Sequence, residues 1–194
     1  MSRFIESIGC FDGNYPLLNY HQQRVDQTFA AFFPNHEPFK IKNILPKLTL
    51  KGKVKVRLVY DENRQIITHE IYQTPTIRSL KLVVDDGIDY GFKYEDRDRL
   101  QQLYKLKDTA DDILIIKNGC ITDTHYANVC LWDGNHWYTP QTCLLNGVRR
   151  QSLIKKGAIK VAEITRADLS GFEKISLINA MNDLGELVLK NALL

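Results

Sequence analysis

Long apolar runs are missing from this sequence, and so is any strong excess of charge. Its 194 residues carry 26 lysines and arginines against 23 aspartates and glutamates, a formal charge of +3, with the basic residues scattered along the chain. A charge that weak and diffuse argues against a nucleic-acid-binding role. No stretch is apolar for long enough to span a bilayer, and the opening residues MSRFIESIGCFDGN become charged within a few positions. Neither a membrane anchor nor a signal peptide is expected from that pattern. Cysteine is sparse: Cys10, Cys120, Cys130 and Cys143 lie far apart and form no CxxC pair. Their spacing argues against a zinc site and, in a chain of this length, against a disulfide framework. A reduced, cytoplasmic setting is the expectation. Tandem repeats and low-complexity segments are also lacking. What the sequence does have is 44% hydrophobic and 25% charged residues, a balance that suits a soluble fold with a real core.

Local patterns predict an α+β fold with antiparallel hairpins and helices in both halves. Phe4–Phe11 and Tyr15–Leu18 flank Asp12-Gly13, a dipeptide favoured in hairpin turns. A helix is predicted from Asn19, with Asn19 as cap, Gln22 completing a capping box, and Val25, Phe29 and Phe32 on its buried face. A weaker helix over Ile41–Leu48 contains Pro46 near its end. The runs KVKVRLVYD and QIITHEIYQ alternate around ENR and read as a hairpin. Thr74-Pro75 breaks the pattern, and the domain boundary is placed there: a small domain over residues 1–76 and a larger one over 77–194. In the second half, SLKLVVDD reads as a strand. A helix with Leu100, Leu103 and Tyr104 at helical spacing follows. Two hairpins turn at Asn118-Gly119 and Asp133-Gly134, and a helix after Gly147 stops near Gly157. KISLINAM reads as the last buried strand, and the tail as a short amphipathic helix.

Four positions each admit a bland and a functional reading. Lys93 is either an ordinary solvated lysine or an amine whose pKa is lowered beside Phe92 and Tyr94, fit to act as nucleophile or base. Arg24 is either on the solvent face of its helix or, one turn from His21, placed to grip a phosphate. Asp123 is either a strand-end acid or a partner for a protonated ring nitrogen. Gly147, before a helix, is either a turn or the start of an anion-binding helix terminus. Pyridoxal 5′-phosphate has a phosphate, a ring nitrogen and an aldehyde, so it unites all four functional readings. A metal hydrolase reading, using His125, His136 and Asp123, lacks close ligand spacing, and no metal site is expected.

The order of motifs resembles the class IV, fold-type IV pyridoxal-phosphate enzymes, the D-amino acid aminotransferase-like group. The matching segments are His21-Gln22-Gln23-Arg24, Lys93, Ala110-Asp111-Asp112, and Gly119-Cys120-Ile121-Thr122-Asp123 with Asn128. Thr139-Pro140, Leu145-Asn146-Gly147-Val148-Arg149-Arg150 and Asn179-Ala180-Met181 follow. The resemblance covers nearly the whole chain. It implies a two-domain fold of that type, shortened, with the site between the domains, and a homodimer. It implies that Lys93 is the Schiff-base lysine and proton carrier, and that Arg24 with the amides of Val148 and Arg149 holds the phosphate. Asp123 would face the ring nitrogen, with Asn128 beside it, and the Asn179–Ala180 loop would lie by the phosphate and substrate. Two residues depart from the family pattern: Asp123 stands where glutamate is usual, and Arg149 where threonine is usual.

Arginine four residues after Lys93, and the INAM loop, are similar to the 4-amino-4-deoxychorismate lyase branch. The implied reaction runs through an external aldimine and releases 4-aminobenzoate and pyruvate. The alternatives are a D-amino acid or branched-chain-type aminotransferase, or a catalytically weak cofactor-binding relative acting through partners. Arg3 and Arg57 are candidates for a substrate carboxylate, each equally readable as a surface arginine.

Overall fold

The computed structural model describes residues 2–190 of the chain. They pack as two units, one built from residues up to Gln73 with Phe92–Asp96, the other from Thr74–Gly91 and the residues from Arg97 onward.

The first unit is a three-stranded antiparallel sheet under a helix. Its strands are β1 (Phe4–Phe11), β2 (Lys53–Tyr60) and β3 (Gln65–Ile71), in that spatial order. Alternation decides which face is buried. Val54, Val56, Leu58 and Tyr60 of β2 are all buried, and they stand opposite Cys10, Ile8, Glu6 and Phe4 of β1 in register. The helix α1 (Leu18–Phe32) lays Val25 and Phe29 on that face, and both join its hydrophobic cluster. It ends at Phe33, the residue before Pro34, where the proline ring disfavours helical backbone. A single turn, α2 (Ile41–Ile44), adds Ile41 to the cluster.

Three sequence expectations change here. β1 does not pair with Tyr15–Leu18: its partner is β2, and Asp12 and Gly13, both with positive φ, turn the chain toward the helix instead. The helix starts at Leu18 with Leu17 as cap and no side-chain capping bond, so Asn19 lies inside the first turn. Gln22 bonds to Asp26, the Phe39 carbonyl and the Ile41 amide, which leaves no capping box. Phe32 is 37% exposed and so only partly on the buried face. The β2–β3 hairpin forms as predicted.

Among the described residues the second unit has eight strands. β4 (Leu80–Val84) and β5 (Asp112–Lys117) are parallel, joined through α3 (Asp98–Tyr104) and a 3₁₀ turn at Lys105–Lys107. β6 (Cys120–Thr124) returns from β5 through Asn118 and Gly119, whose φ values of 51° and 77° fit a tight hairpin turn. β7 (Asn128–Trp132), β8 (Trp137–Pro140), α4 (Val148–Lys155) and β9 (Lys160–Ala162) follow, with β8 and β9 parallel. β10 (Lys174–Ile178) pairs with β7, and β11 (Val188–Lys190) pairs with β10. The path β11-β10-β7-β6-β5-β4 forms the main sheet. Its core includes Leu114, Ile116, Ile121, Val129, Leu131 and Leu177. The predicted tail helix is thus replaced, through Lys190, by a strand; Asn191–Leu194 lie outside the described residues. Among the described residues no helix is long and apolar enough to cross a membrane.

Candidate active site

Glu6 is the one acid among the inward-facing residues of β1, and it is fully buried. Facing it on α1 are His21 and Arg24, three residues apart and therefore on one face of the helix. Arg24 donates from Nε to Glu6 Oε1 at 2.7 Å and from Nη2 to Glu6 Oε2 at 2.5 Å. His21 Nδ1 lies 2.5 Å from Glu6 Oε2. Burial alone would push the Glu6 carboxyl up, yet the Arg24 charge and the hydrogen bonds from Arg24 and His21 hold it at about 2. Burial also pushes the His21 imidazole down, against its bond to Glu6. A neutral His21 whose Nδ1–H is donated to the carboxylate keeps a lone pair on Nε2, a buried atom without a partner among the described residues.

Lys93 belongs to the same unit. Its carbonyl accepts from the Ile5 amide at 2.9 Å, and Glu95 N donates to the Arg3 carbonyl at 2.8 Å, so Phe92–Glu95 runs antiparallel along β1. The flanking rings are anchored in the core: Phe92 meets Phe32 edge-on at 4.8 Å, and Tyr94 packs on Phe4 at 5.2 Å. That anchorage leaves Lys93 half-buried, and its charge is among the influences that keep His21 neutral. Arg3 and Arg57 both reach Glu95, at 2.8 and 3.2 Å, and both are substantially exposed.

In the second unit, β6 and β7 meet in register at one pair, Asp123 opposite Asn128. Asn128 Nδ2 donates to Asp123 Oδ1 and to the Leu145 carbonyl, each at 2.8 Å, and Leu145 N donates to Asp123 Oδ2 at 3.0 Å. Asn128 Oδ1 is thereby turned toward Gly147, where an added Cβ would sit only 2.1 Å away. Gly147 has ordinary extended backbone, φ −65° and ψ 148°, so close approach, not left-handed conformation, is what glycine supplies there. Gly147 caps α4, whose first residues are Val148 and Arg149. Burial pushes Asp123 up to about 6, against the pull of the Leu145 amide, Asn128 and the Arg150 charge. Each carboxylate oxygen of Asp123 can accept more than one hydrogen bond, so a further N–H donor can be accommodated.

Arg149 and Arg150 point to different work. Arg150 ties α4 to β8 through Thr139 Oγ1, the Pro140 carbonyl and Asn146. Arg149 Nη1 pairs with Asp183 at 2.9 Å. Asn179 Oδ1 accepts from the Met181 and Asn182 amides, so this side chain shapes its own loop, which buries Ala180. His125 stacks on Tyr104 at 4.4 Å, and among the described residues no cluster of His, Cys, Asp or Glu could hold a metal ion.

The structure therefore brings Arg24 together with His21 in one unit that also holds Lys93, and Asp123 together with Asn128 and Gly147 in the other. Glu6 was missed by sequence reasoning, although an acid at an inward position of FIESIGCF was a visible signal. Taken separately, the first unit holds a fixed guanidinium of the kind that binds a phosphate, and the second holds a side chain–glycine cradle at a helix N-terminus and a buried acid with accepting capacity to spare, groups of the kind pyridoxal phosphate calls for.

Comparison with known proteins agrees. Residues 92–186 match the model of the family described as amino-transferase class IV. An uncharacterized protein of Haemophilus influenzae is 32% identical over 189 residues, 95% of this chain and all of that protein. A crystal structure from Haemophilus somnus 129PT, whose name suggests a 4-amino-4-deoxychorismate lyase, superposes with a TM-score of 0.90 at 33% identity, covering 95% of this chain and 98% of that one. The pyridoxal-phosphate-bound form of a Mycobacterium tuberculosis protein, named a hypothetical aminotransferase, shares the fold: TM-score 0.72, 17% identity, 98% of this chain and 81% of that one. The class is that of fold-type IV pyridoxal-phosphate-dependent enzymes. This chain belongs to the class IV aminotransferase family.

Proposed function

We propose that this enzyme is a lyase acting on an amino-substituted cyclohexadiene acid of the 4-amino-4-deoxychorismate type, with Lys93 as its proton carrier. One observation carries the choice: 33% identity across 95% of the chain to the Haemophilus somnus protein whose name suggests that activity. Arg97, four residues after Lys93, and the loop Ile178-Asn179-Ala180-Met181 support it. When bound, pyridoxal phosphate supplies an aldehyde for a substrate amine and a ring that stabilises negative charge on the attached carbon.

In this reading Lys93 holds the cofactor through its Nζ and then takes the proton from the substrate carbon that bears the nitrogen. Its half-buried setting between two anchored aromatic residues fixes the backbone from which the amine projects. With that proton on Lys93, the C–O bond at the neighbouring carbon would break, the enolpyruvyl group would leave as its enolate and regain a proton to become pyruvate, and the ring would become the aromatic amine. Arg24 and the Val148 and Arg149 amides are assigned to the phosphate, and Asp123, held by Asn128, to the ring nitrogen. Gly147 lets Asn128 and the start of α4 approach, and the Asn179–Ala180 loop is assigned to the substrate side of the phosphate. Aminotransfer is the second reading, favoured by the family's own description; there Lys93 returns the proton to the cofactor carbon. A homodimer in a reducing cytoplasm is proposed on the family resemblance and on four cysteines without a disulfide.

The test mixes purified protein with 4-amino-4-deoxychorismate and looks for 4-aminobenzoate. In parallel, D- and L-amino acids with 2-oxoglutarate are assayed for amino transfer. Transfer without aromatic product removes the lyase assignment.

A further inference from the structure

Glu6 sits on the buried face of a largely apolar strand with no exposure to solvent. An unpaired carboxylate there would be strongly disfavoured, and burying an ion pair only to stabilise a fold is seldom better than apolar packing. Among the described residues its side-chain partners are on α1: Nδ1 of His21, and Nε and Nη2 of Arg24. The two contacts to Arg24 are side-on and parallel, one donor to each carboxylate oxygen, the geometry that fixes both the plane and the direction of a guanidinium. Arg24 itself is 7% exposed, so it has little freedom to take another rotamer. Thr28 Oγ1 donates to the Arg24 carbonyl at 2.9 Å, which tightens the same turn of helix.

Electrostatics sets the question. A carboxylate at 2.5–2.7 Å offsets the positive charge of Arg24. A site built only to attract an anion would leave Glu6 out. Its presence makes sense if the direction of the guanidinium counts for more than its net charge. We infer that Glu6 is a positioning residue: its carboxylate locks the Arg24 guanidinium in the orientation that receives the cofactor phosphate, and His21 holds the carboxylate through Oε2. The inference rests on the assignment of Arg24 to that phosphate.

The opposing consequences of charge and orientation make it testable. Full chain freed of cofactor is titrated with pyridoxal 5′-phosphate and with pyridoxal, which lacks the phosphate, following tryptophan fluorescence. The dissociation constant for pyridoxal divided by that for pyridoxal 5′-phosphate reports the phosphate contacts alone. Glu6→Gln adds a net positive charge beside Arg24 but loses the lock, and the ratio is expected to fall about tenfold or more, the scale of a charge-assisted hydrogen bond. Glu6→Asp keeps the charge but is one methylene too short to span both donors; it should show a smaller fall in the same direction, and it serves if Glu6→Gln fails to fold. Pyridoxal affinity should be unchanged in both. A ratio that stays constant or rises in folded Glu6 variants, while Arg24→Ala lowers it, overturns the positioning role and leaves Arg24 in place. An unchanged ratio in Arg24→Ala removes the phosphate assignment, and the role of Glu6 with it.

Discussion

Glu6 and Asp123 are both buried carboxyls, yet their affinities for a proton move in opposite directions. Charged donors hold Glu6 at about 2, whereas Asp123, served directly by neutral donors, is pushed up by burial to about 6. The consequences for stability have opposite signs. Glu6 contributes stability that is fully present above its ordinary value of 4.5 and is lost as pH falls toward about 2. Asp123 takes up a proton more readily folded than unfolded, so it lowers stability as pH rises from its ordinary 3.8 to about 6. Glu6→Gln should therefore destabilise the protein at neutral pH by roughly 3 kcal/mol, the scale of breaking a buried pair. It should also flatten the acid side of the stability profile below pH 4.5. Urea unfolding across pH measures both, and a variant as stable as the parent at pH 7 contradicts the buried pairing. For Asp123→Asn the cofactor should still bind while turnover falls about tenfold or more, because the ring nitrogen loses its charged partner. Unchanged turnover would show that Asp123 does not serve it.

Among the elements, the join between β7 and the start of α4 leaves no room for a side chain at Gly147. Gly147→Ala would drive a methyl group into Asn128 Oδ1, 2.1 Å from the ideal Cβ position, and Asn128 cannot yield without dropping Asp123 or Leu145. The expected cost is about 1–3 kcal/mol. Adding Asn128→Ser should recover part of it, since the two positions share one contact. Thermal melts of both single variants and the double variant test that coupling, and strict additivity would refute it. Much at this scale was legible in the sequence. Asn118-Gly119 and Asp133-Gly134 turn where their composition says, and the β2–β3 hairpin follows its alternation. Failures occurred where pairing is non-local. β1 meets a strand more than forty residues on, instead of the segment just after its turn, and β11 forms because β10 offers it an edge. The predicted cap at Asn19 lost to a helix that begins one residue earlier, with Gln22 used to hold α2. Among the candidate site residues, Arg24, Asp123, Asn128 and Gly147 could be singled out because short motifs carry them, and the fold sets the last three side by side. The inward acid of FIESIGCF was visible in the sequence, but its partners were not, because only the folded unit sets that helix face against β1.

For the molecule as a whole, two units with different sheets supply the proposed residues, and the chain passes back into the first unit at Phe92–Asp96 to deliver Lys93. Light scattering should give twice the mass of one chain if the homodimer inferred from the family holds; a single-chain mass contradicts it. The most direct test of the whole account is where the cofactor becomes attached. Purified protein incubated with pyridoxal 5′-phosphate is reduced with borohydride, digested and mapped by mass spectrometry, with Lys93→Ala treated alongside. The account predicts a phosphopyridoxyl mass on the peptide that contains Lys93 and loss of the visible absorbance band, with neither in the variant. Attachment at another lysine, or an absorbance band that survives in Lys93→Ala, would contradict it.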